Sequence, residues 1–161
     1  MKIDAGIANP FAEAAIKVIK NLTGLDVRKG GLSHRVTSSP SYDVSIIVGL
    51  YGFLSGQVMY SMSKEVAARL GEKILKDKSP DKLKELLVDT LGELANMITG
   101  NAAGVLSRDK NSPLKLTTPA IVTGSQFNVK FAVSHTAVFG MITPYGPLEI
   151  SLALELVEPP K

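Results

Sequence analysis

The sequence predicts an α+β fold in which an antiparallel sheet is covered by helices. Apolar residues recur at helical spacing near the start and in the middle of the chain, whereas strand-like segments follow the first helix and fill the C-terminal third. Helices mixed with hairpins, without strict strand–helix–strand alternation, indicate this class. At 161 residues, the chain suits one domain spanning residues 1–161 and can bury a core without disulfides.

The first helix is predicted to begin at Asn9-Pro10, because proline at the first helical position has a suitable φ and lacks an N–H that would be unpaired there. It runs to about Asn21, and Gly24 is placed to end it. The Gly-rich residues 28–31 that follow are predicted to be a loop.

A hairpin and a second helix come next. Residues 43–50 are rich in Val and Ile, and we expect them to pair with residues 53–62 around a turn at Tyr51-Gly52. Ser63 is a favourable N-cap for a helix over residues 64–76, because its hydroxyl accepts a hydrogen bond from a free N–H of the first turn.

A long helix is predicted from Ser79-Pro80-Asp81 to about Ser107. A capping residue, proline at the first position and an acid near the positive end of the helix dipole mark its start. Its length is roughly 28 residues, or about 42 Å. The apolar positions predicted to face the sheet are Leu87, Leu91, Leu94, Ile98 and Val105.

The C-terminal third is predicted to be β. From Leu148 to Leu156, leucine and isoleucine alternate with smaller or polar residues, which indicates a half-buried strand with one wet face. Residues 143–146 form a turn to the preceding strand. In that strand the apolar residues expected on one face are Phe131, Val133, Ala137 and Phe139.

The composition excludes or disfavours several classes of functional site. There is no Cys, which excludes a disulfide scaffold, a thiolate metal site and a Cys nucleophile. Two histidines, His34 and His135, disfavour a multi-histidine metal site, and His135 shares the parity of apolar neighbours, as a buried or interface residue would. The net charge of +3 comes from scattered residues, which argues against nucleic-acid binding.

No membrane attachment is expected from the sequence. The most apolar stretch, residues 45–54, is much shorter than the about 20 residues that span a bilayer. The N-terminus lacks the apolar core of a signal peptide. We therefore expect a cytoplasmic protein.

Polar residues share one face of the long helix. At about 100° per residue, Asp89, Glu93 and Asn96 fall within an arc of about 60°, opposite the apolar stripe. Gly92 and Gly100 lie on the same side, although a helical Gly costs about 1 kcal/mol relative to Ala. The two glycines indicate either close approach of another group to this face or, as the alternative, helix–helix packing or a kink.

A carboxylate beside an amide limits the chemistry of this face. An amide orients a water molecule but cannot deprotonate it, and the Glu93 carboxylate can pair with a cation or accept a proton. Such a pair suits a reaction whose electrophile is already activated and is supplied by another protein. An acyl phosphate fits, because its hydrolysis needs in-line placement of water more than a strong base.

The spacing Asp89-x-x-x-Glu93-x-x-Asn96 resembles the (Asp/Ser)-x-x-x-Glu-x-x-Asn signature of the CheC/CheX/FliY family of chemotaxis phosphatases. The flanks, residues 56–63, 91–100 and 117–124, are similar to those of CheX-type members. This resemblance implies an extended antiparallel sheet with two long helices on one face. It also implies a homodimer formed through the sheet.

The resemblance implies a function for each motif residue. The partner would be a phosphorylated CheY-like response regulator, whose aspartyl phosphate is hydrolysed. Asn96 would orient the attacking water, and Glu93 would engage the regulator's active-site lysine. Asp89 would contact the partner or support the helix face, and we assign Gly100 to the same contact surface. Mg²⁺ would belong to the regulator, with no cofactor in this chain.

The first helix is aligned with the long helix as a weak internal repeat. Glu13 then matches Glu93, but Ile16 falls where Asn96 stands. Since an Ile cannot hydrogen-bond a water, the repeat predicts one active site per chain; coincidence between two amphipathic helices is the alternative. The alternative function is a non-catalytic interaction module that binds a signalling or flagellar-switch partner.

Overall fold

In a computed structural model, which describes residues 3–36, 42–76, 79–108, 110–125, 127–133 and 135–158, the chain folds into three helices and seven antiparallel strands. In chain order these described elements are α1 (Ala5–Thr23), β1 (Arg28–Arg35), β2 (Val44–Tyr51), β3 (Leu54–Met62), α2 (Lys64–Leu75), α3 (Pro80–Leu106), β4 (Lys115–Leu116), β5 (Ala120–Thr123), β6 (Thr136–Thr143) and β7 (Gly146–Leu156). The α+β class is confirmed. The two long helices are α1 and α3, and α2 is shorter.

The seven strands form one sheet with a symmetric order. Along the sheet the strands run β1-β6-β7-β3-β2-β4, and β5 also pairs with β2. Strands β1, β2 and β3 begin at residues 28, 44 and 54, and β5, β6 and β7 begin 92 residues later at 120, 136 and 146. The chain therefore consists of a first half, α1–β1–β2–β3, and a second half, α3–β5–β6–β7, with β3 and β7 paired in the centre.

Helix α1 begins one and a half turns before the predicted start. Asp4 is its N-cap, with Oδ1 accepting a hydrogen bond from the Ile7 N–H at 3.3 Å, and Pro10 lies inside the helix. The extra turn packs because Ala8 is fully buried. The end is as predicted: Gly24 adopts φ 77° and its N–H bonds to the Lys20 carbonyl.

Strand β1 occupies the segment predicted as a loop. It pairs with β6, and its register shifts between Lys29 and Leu32, where the two glycines lie. Gly30 permits this pairing, because a Cβ there would stand 3.0 Å from the Gly140 carbonyl oxygen. His34 also lies in this strand, with Nε2 2.8 Å from the Ile3 carbonyl oxygen. The long-range partner outweighs the low strand propensity of glycine.

The predicted β2–β3 hairpin, the Ser63 cap of α2 and the β6–β7 turn are all confirmed. The helices share one core with the inward face of the sheet: Phe11, Leu70 and Ile98 from the three helices pack in the same cluster as Leu152 from β7.

The prediction that β7 has one solvent-exposed face is wrong, because residues on the face of the sheet away from the helices are also buried. Ser151 and Ala153 are buried there, and Phe131 packs with Ala153 and Met59. Phe131 and Val133 precede β6 and pack on this second face, so they do not share a strand face with Phe139. His135, predicted to be buried or at an interface, is exposed just before β6.

Helix α3 matches its predicted bounds closely. Ser79 is its N-cap, Pro80 stands in its first turn, and it contains 27 residues. Leu91, Leu94 and Ile98 are buried as predicted. Val105 does not belong to the stripe, because it is 46 % exposed while its neighbour Leu106 packs on the core at the helix end.

Candidate functional site

A buried polar contact fixes the rotation of α3 over the sheet. The Tyr60 hydroxyl on β3 lies 2.7 Å from Thr99 Oγ1 on α3, and Thr99 also donates to the Ala95 carbonyl at 2.7 Å. Burial raises the pKa of Tyr60 far above its usual value, so the phenol stays neutral and can donate to Thr99. Held at this point, α3 presents its opposite side to solvent.

The three motif residues lie on that outward side. Asp89 and Glu93 are exposed, and Asn96 is half-buried at the border between the polar face and the buried stripe. Within the described residues, neither carboxylate has a hydrogen bond or ion pair to the protein's own groups. The acidic side chains are therefore available to a cation brought by another molecule.

The Asn96 amide is held by packing. Its Oδ1 has no accessible surface and no hydrogen-bond partner among the described residues. A buried acceptor without a partner costs about 1–3 kcal/mol, and such groups concentrate at functional sites. No hydrogen bond from a described residue to this oxygen has to break when a ligand arrives, but because the oxygen is enclosed, the amide first meets a ligand through its NH₂ group.

A groove of about 400 Å³ runs beside the motif residues, and we call it the polar groove. One side of the groove is α3, which contributes Val88, Asp89, Gly92, Glu93 and Asn96. The other side is formed by Thr118, Pro119 and Ile121, at and just before β5. The groove places the amide and a carboxylate on the same open surface.

The two helix glycines differ in their surroundings. Gly92 is buried, and a Cβ there would lie 3.3 Å from Pro119 Cγ, so the close approach at this position comes from the chain itself. Its placement on the exposed arc was therefore wrong. Gly100 is half-buried, and a Cβ there would meet no described atom within 4 Å. Of the two, only Gly100 leaves room for another molecule.

The segment carrying Pro119 is tied to the sheet by Thr117. The Thr117 N–H donates to the Gly49 carbonyl at 3.0 Å, and Thr117 Oγ1 accepts from the Gly49 N–H at 2.8 Å. A Cβ on Gly49 would lie only 2.7 Å from Thr117 Cγ2, so this contact requires glycine. In the sequence, Thr117-Thr118-Pro119 contributes only to the family resemblance, and no structural role is predicted for this segment.

On the other side of Asp89 and Glu93, the helices enclose a second groove of about 360 Å³ with a largely apolar lining. Its apolar residues come from all three helices: Leu22, Ile74, Leu75, Leu86, Leu94 and Met97. The acidic residues thus stand on a ridge between two grooves. A partner that received this ridge would reach both.

The arrangement has limited chemistry of its own. Among the residues described, no group of three or more His, Cys, Asp or Glu side chains is placed to hold a metal ion. Likewise, no described helix is long and apolar enough to cross a membrane. The site offers one amide and two carboxylates to whatever enters it.

Comparison with known proteins agrees with this fold. A family model described as chemotaxis phosphatase CheX matches residues 44–143. The CheY-P phosphatase CheX of Thermotoga maritima is 25% identical over 128 residues, which cover 80% of this chain and 82% of the relative.

Solved structures are similar over almost the whole chain. CheX from Desulfovibrio desulfuricans has a TM-score of 0.82 at 24% identity, covering 94% of this chain and 99% of the other. CheX in a complex with CheY, BeF₃ and Mg²⁺ from Borrelia burgdorferi has a TM-score of 0.75 at 24% identity, covering 96% of this chain and 99% of the other. At these identities the structural likeness concerns the fold.

Proposed function

This chain belongs to the CheX family of chemotaxis phosphatases, and from that premise we propose that it hydrolyses the aspartyl phosphate of a CheY-like response regulator. The observation that carries the proposal is the outward face of α3. There Glu93 stands exposed without a partner among the described residues, beside an Asn96 amide whose oxygen has none among them either. Both groups line a groove that a partner can enter.

The chemistry needs little from this chain beyond positioning. Water attacks the phosphorus of the acyl phosphate, the bond from phosphorus to the aspartyl oxygen breaks, and the carboxylate leaves with the bonding electrons. Because a carboxylate is a good leaving group, in-line placement of the water matters more than its deprotonation by a strong base. We assign that placement to Asn96, whose amide carries both donors and an acceptor.

The carboxylates of the ridge would bind the regulator. Glu93 pairs with the active-site lysine of the regulator, and Asp89, one turn earlier, contacts the rim of the same pocket. Gly100, one turn beyond Asn96, leaves space for the backbone of the partner. Mg²⁺ enters with the regulator, as the CheX complex with CheY, BeF₃ and Mg²⁺ suggests.

We also propose that the protein acts as a homodimer in the cytoplasm, where response regulators receive their phosphoryl groups. The sheet has edge strands on both sides: β1 on one side, and the short strands β4 and β5 on the other. An edge strand has unpaired backbone groups that can pair with a second copy. Sedimentation velocity of the purified protein tests this directly, and a monomer at micromolar concentration would contradict it.

The function is tested by incubating the protein with a panel of phosphorylated receiver domains and measuring phosphate release. At least one receiver should lose phosphate faster than it does alone. In the Asn96→Ala variant we expect the added rate to fall by about 10²–10³-fold, as for other single positioned polar groups. Asn101→Ala is the matched control, because Asn101 is exposed on the same helix and, within the described part of the chain, bonds only to the Met97 carbonyl.

A different outcome would favour the interaction module. If a receiver binds tightly but keeps its phosphate, or if Asn96→Ala and Asn101→Ala behave alike, the catalytic assignment is wrong. Thermal unfolding of both variants checks loss of structure as the cause. Since Asn96→Ala removes a buried oxygen that has no partner among the described residues, this variant should unfold no earlier than the wild type.

A further inference from the structure

Pro119 packs on the helix backbone one turn before the amide of Asn96. The contact is made at Gly92, where a Cβ would be 3.3 Å and 3.9 Å from two ring carbons of Pro119. Gly92 and Asn96 are four residues apart, so they lie one above the other on the same side of α3. The proline ring therefore stands over the part of the helix that neighbours the amide.

The direction of helical side chains brings Asn96 toward this contact. Side chains on an α-helix lean toward its N-terminus and cover the preceding turn. Asn96 thus leans over the turn that contains Gly92, and it lines the polar groove together with Thr118 and Pro119. At this position its Oδ1 has no accessible surface and no hydrogen-bond partner among the described residues.

The proline itself is rigidly placed. Thr117 exchanges two hydrogen bonds with Gly49 on β2, and its hydroxyl also donates to the Thr118 carbonyl at 3.3 Å. Proline has a fixed φ and restricts the residue before it. Residues 117–119, which we call the wall, thus connect the sheet to α3 through short and stiff contacts.

The wall is present in only one half of the molecule. In the second half, residues 107–119 connect α3 to β5 and contain both β4 and the wall, whereas residues 24–27 connect α1 directly to β1. The α1 residue that matches Gly92 is Ala12, which is buried. The half with an asparagine at the motif position is therefore the half with the wall.

We propose that Pro119 is a positioning residue for the dephosphorylation reaction, acting through its contact with Gly92 to fix the orientation of the Asn96 amide. The inference rests on the proposed function. An amide whose rotation is restricted before the regulator arrives loses less entropy when it takes up the attacking water. Replacing the ring with a methyl group leaves the amide more rotational freedom and slows the chemical step.

The kinetic test uses phosphate release from a phosphorylated receiver domain. Pro119→Ala should lower kcat by about 10-fold, since small losses of alignment are costly, and should change KM much less. Gly92→Ala should also lower kcat, because the new methyl group must push the proline ring away. In the double variant Gly92→Ala/Pro119→Ala, the new methyl group at residue 92 has room. The kcat of the double variant should therefore be higher than that of Gly92→Ala alone. Pro113→Ala, an exposed proline in the same connection, is the control.

The decisive comparison repeats Pro119→Ala in the Asn96→Ala background. Because the wall acts through Asn96, the residual kcat there should be unchanged. An equal loss of kcat in both backgrounds, or a loss confined to KM, would overturn the proposal.

A measurement on the free protein separates this inference from the proposed function. In ¹⁵N NMR spectra, the side-chain NH₂ signals of Asn96 should be well dispersed in the wild type. They should move toward the random-coil position in Pro119→Ala but not in Pro113→Ala. If the Asn96 signals are dispersed and respond to Pro119→Ala, but no receiver is dephosphorylated, only the proposed function is contradicted. Signals unaffected by Pro119→Ala would contradict the positioning role.

Discussion

The two halves of the molecule have the same topology but different surfaces. Helix α1 of the first half and α3 of the second half precede equivalent sets of three strands. Residues of α1 match residues of α3 that are 80 positions later, as the alignment of Glu13 with Glu93 requires. Both glutamates are exposed, so the outline of the motif face is present twice.

In the first half, the residues that match Asp89, Gly100 and Asn96 are engaged with other residues of the chain. Asn9, which matches Asp89, accepts a hydrogen bond from Lys29 of β1. Lys20, which matches Gly100, pairs with Asp26 at 2.9 Å. The position of Asn96 is taken by Ile16, which packs against the core.

In the second half, the residues at the same positions have no partners among the described residues. Asp89 has no partner among the described residues, Gly100 has free space beside it, and Asn96 Oδ1 is unpaired. Beneath the helices the contrast is reversed: Tyr60 and Thr99 form a polar contact under α3, whereas the residues at the two equivalent positions, Leu152 and Ile19, are apolar and buried. The site therefore lies where a helix is fixed from below while its outer groups remain unsatisfied.

The largest expected effect comes from making α3 resemble α1. In Asn96→Ile the water-orienting amide is replaced by the residue of the first half, and phosphate release should fall by about 10²–10³-fold. The reverse change, Ile16→Asn, should add no activity, because α1 lacks the wall and its neighbouring positions are engaged. Single-turnover phosphate release measures both; a second active site in Ile16→Asn would break the comparison.

A smaller effect is expected from the two matched glutamates. Glu93→Ala should weaken binding to the receiver domain by about 2 kcal/mol, or roughly 30-fold in Kd, because the lysine of the partner would be left unpaired in the interface. Glu13→Ala should bind like the wild type. Isothermal titration calorimetry with the same receiver measures both, and equal losses would show that the halves are equivalent in docking.

The buried contact beneath α3 predicts a dependence of stability on pH. Because burial raises the pKa of Tyr60 in the folded state, the folded protein keeps this proton after the unfolded chain, with a tyrosine pKa of about 10, has released it. Stability is therefore unaffected by this group below about pH 10 and falls above it by about 1.4 kcal/mol per pH unit.

Urea unfolding from pH 9 to 11 tests that expectation. Tyr60→Phe should remove this component of the pH dependence, whereas Tyr51→Phe, at an exposed tyrosine, should retain it. Equal slopes for the two variants would show that the Tyr60 phenol ionises as freely as an exposed one.

The smallest effect concerns the glycines on the outer face of α3. Gly100→Ala and Gly104→Ala should each stabilise the helix by up to about 1 kcal/mol, since neither Cβ would meet a described atom within 4 Å. Only Gly100→Ala, one turn from Asn96, should also raise KM for the phosphorylated receiver. An unchanged KM would remove Gly100 from the contact surface.

Local signals explain which parts of this comparison the sequence could predict. Helix α3 was predictable because its cap, its proline and its apolar spacing all lie within the segment itself. The outward direction of Asp89 and Glu93 followed from the same spacing. The start of α1 was missed because the Asn9-Pro10 signal is strong, while the Asp4 cap that prevails depends on burial of the first turn.

Other features depend on residues far apart in the sequence. Strand β1 forms despite its glycines because β6, more than 100 residues later, supplies its partner. The wall is fixed by Gly49, 68 residues before Thr117, and the second face of β7 is covered by Phe131. The half-burial of Asn96 follows from these contacts, and periodicity alone could not have predicted it.

Docking of the partner on the outer face of α3, and not on that of α1, is the expectation from which the other predictions follow. It is tested most directly by adding an unlabelled phosphorylated receiver domain to the ¹⁵N-labelled protein and following its amide signals. The account predicts that the perturbed signals cluster at residues 86–100 and at Thr118, while those of residues 9–20 stay in place. Perturbation centred on α1, with the signals of α3 unmoved, would contradict it.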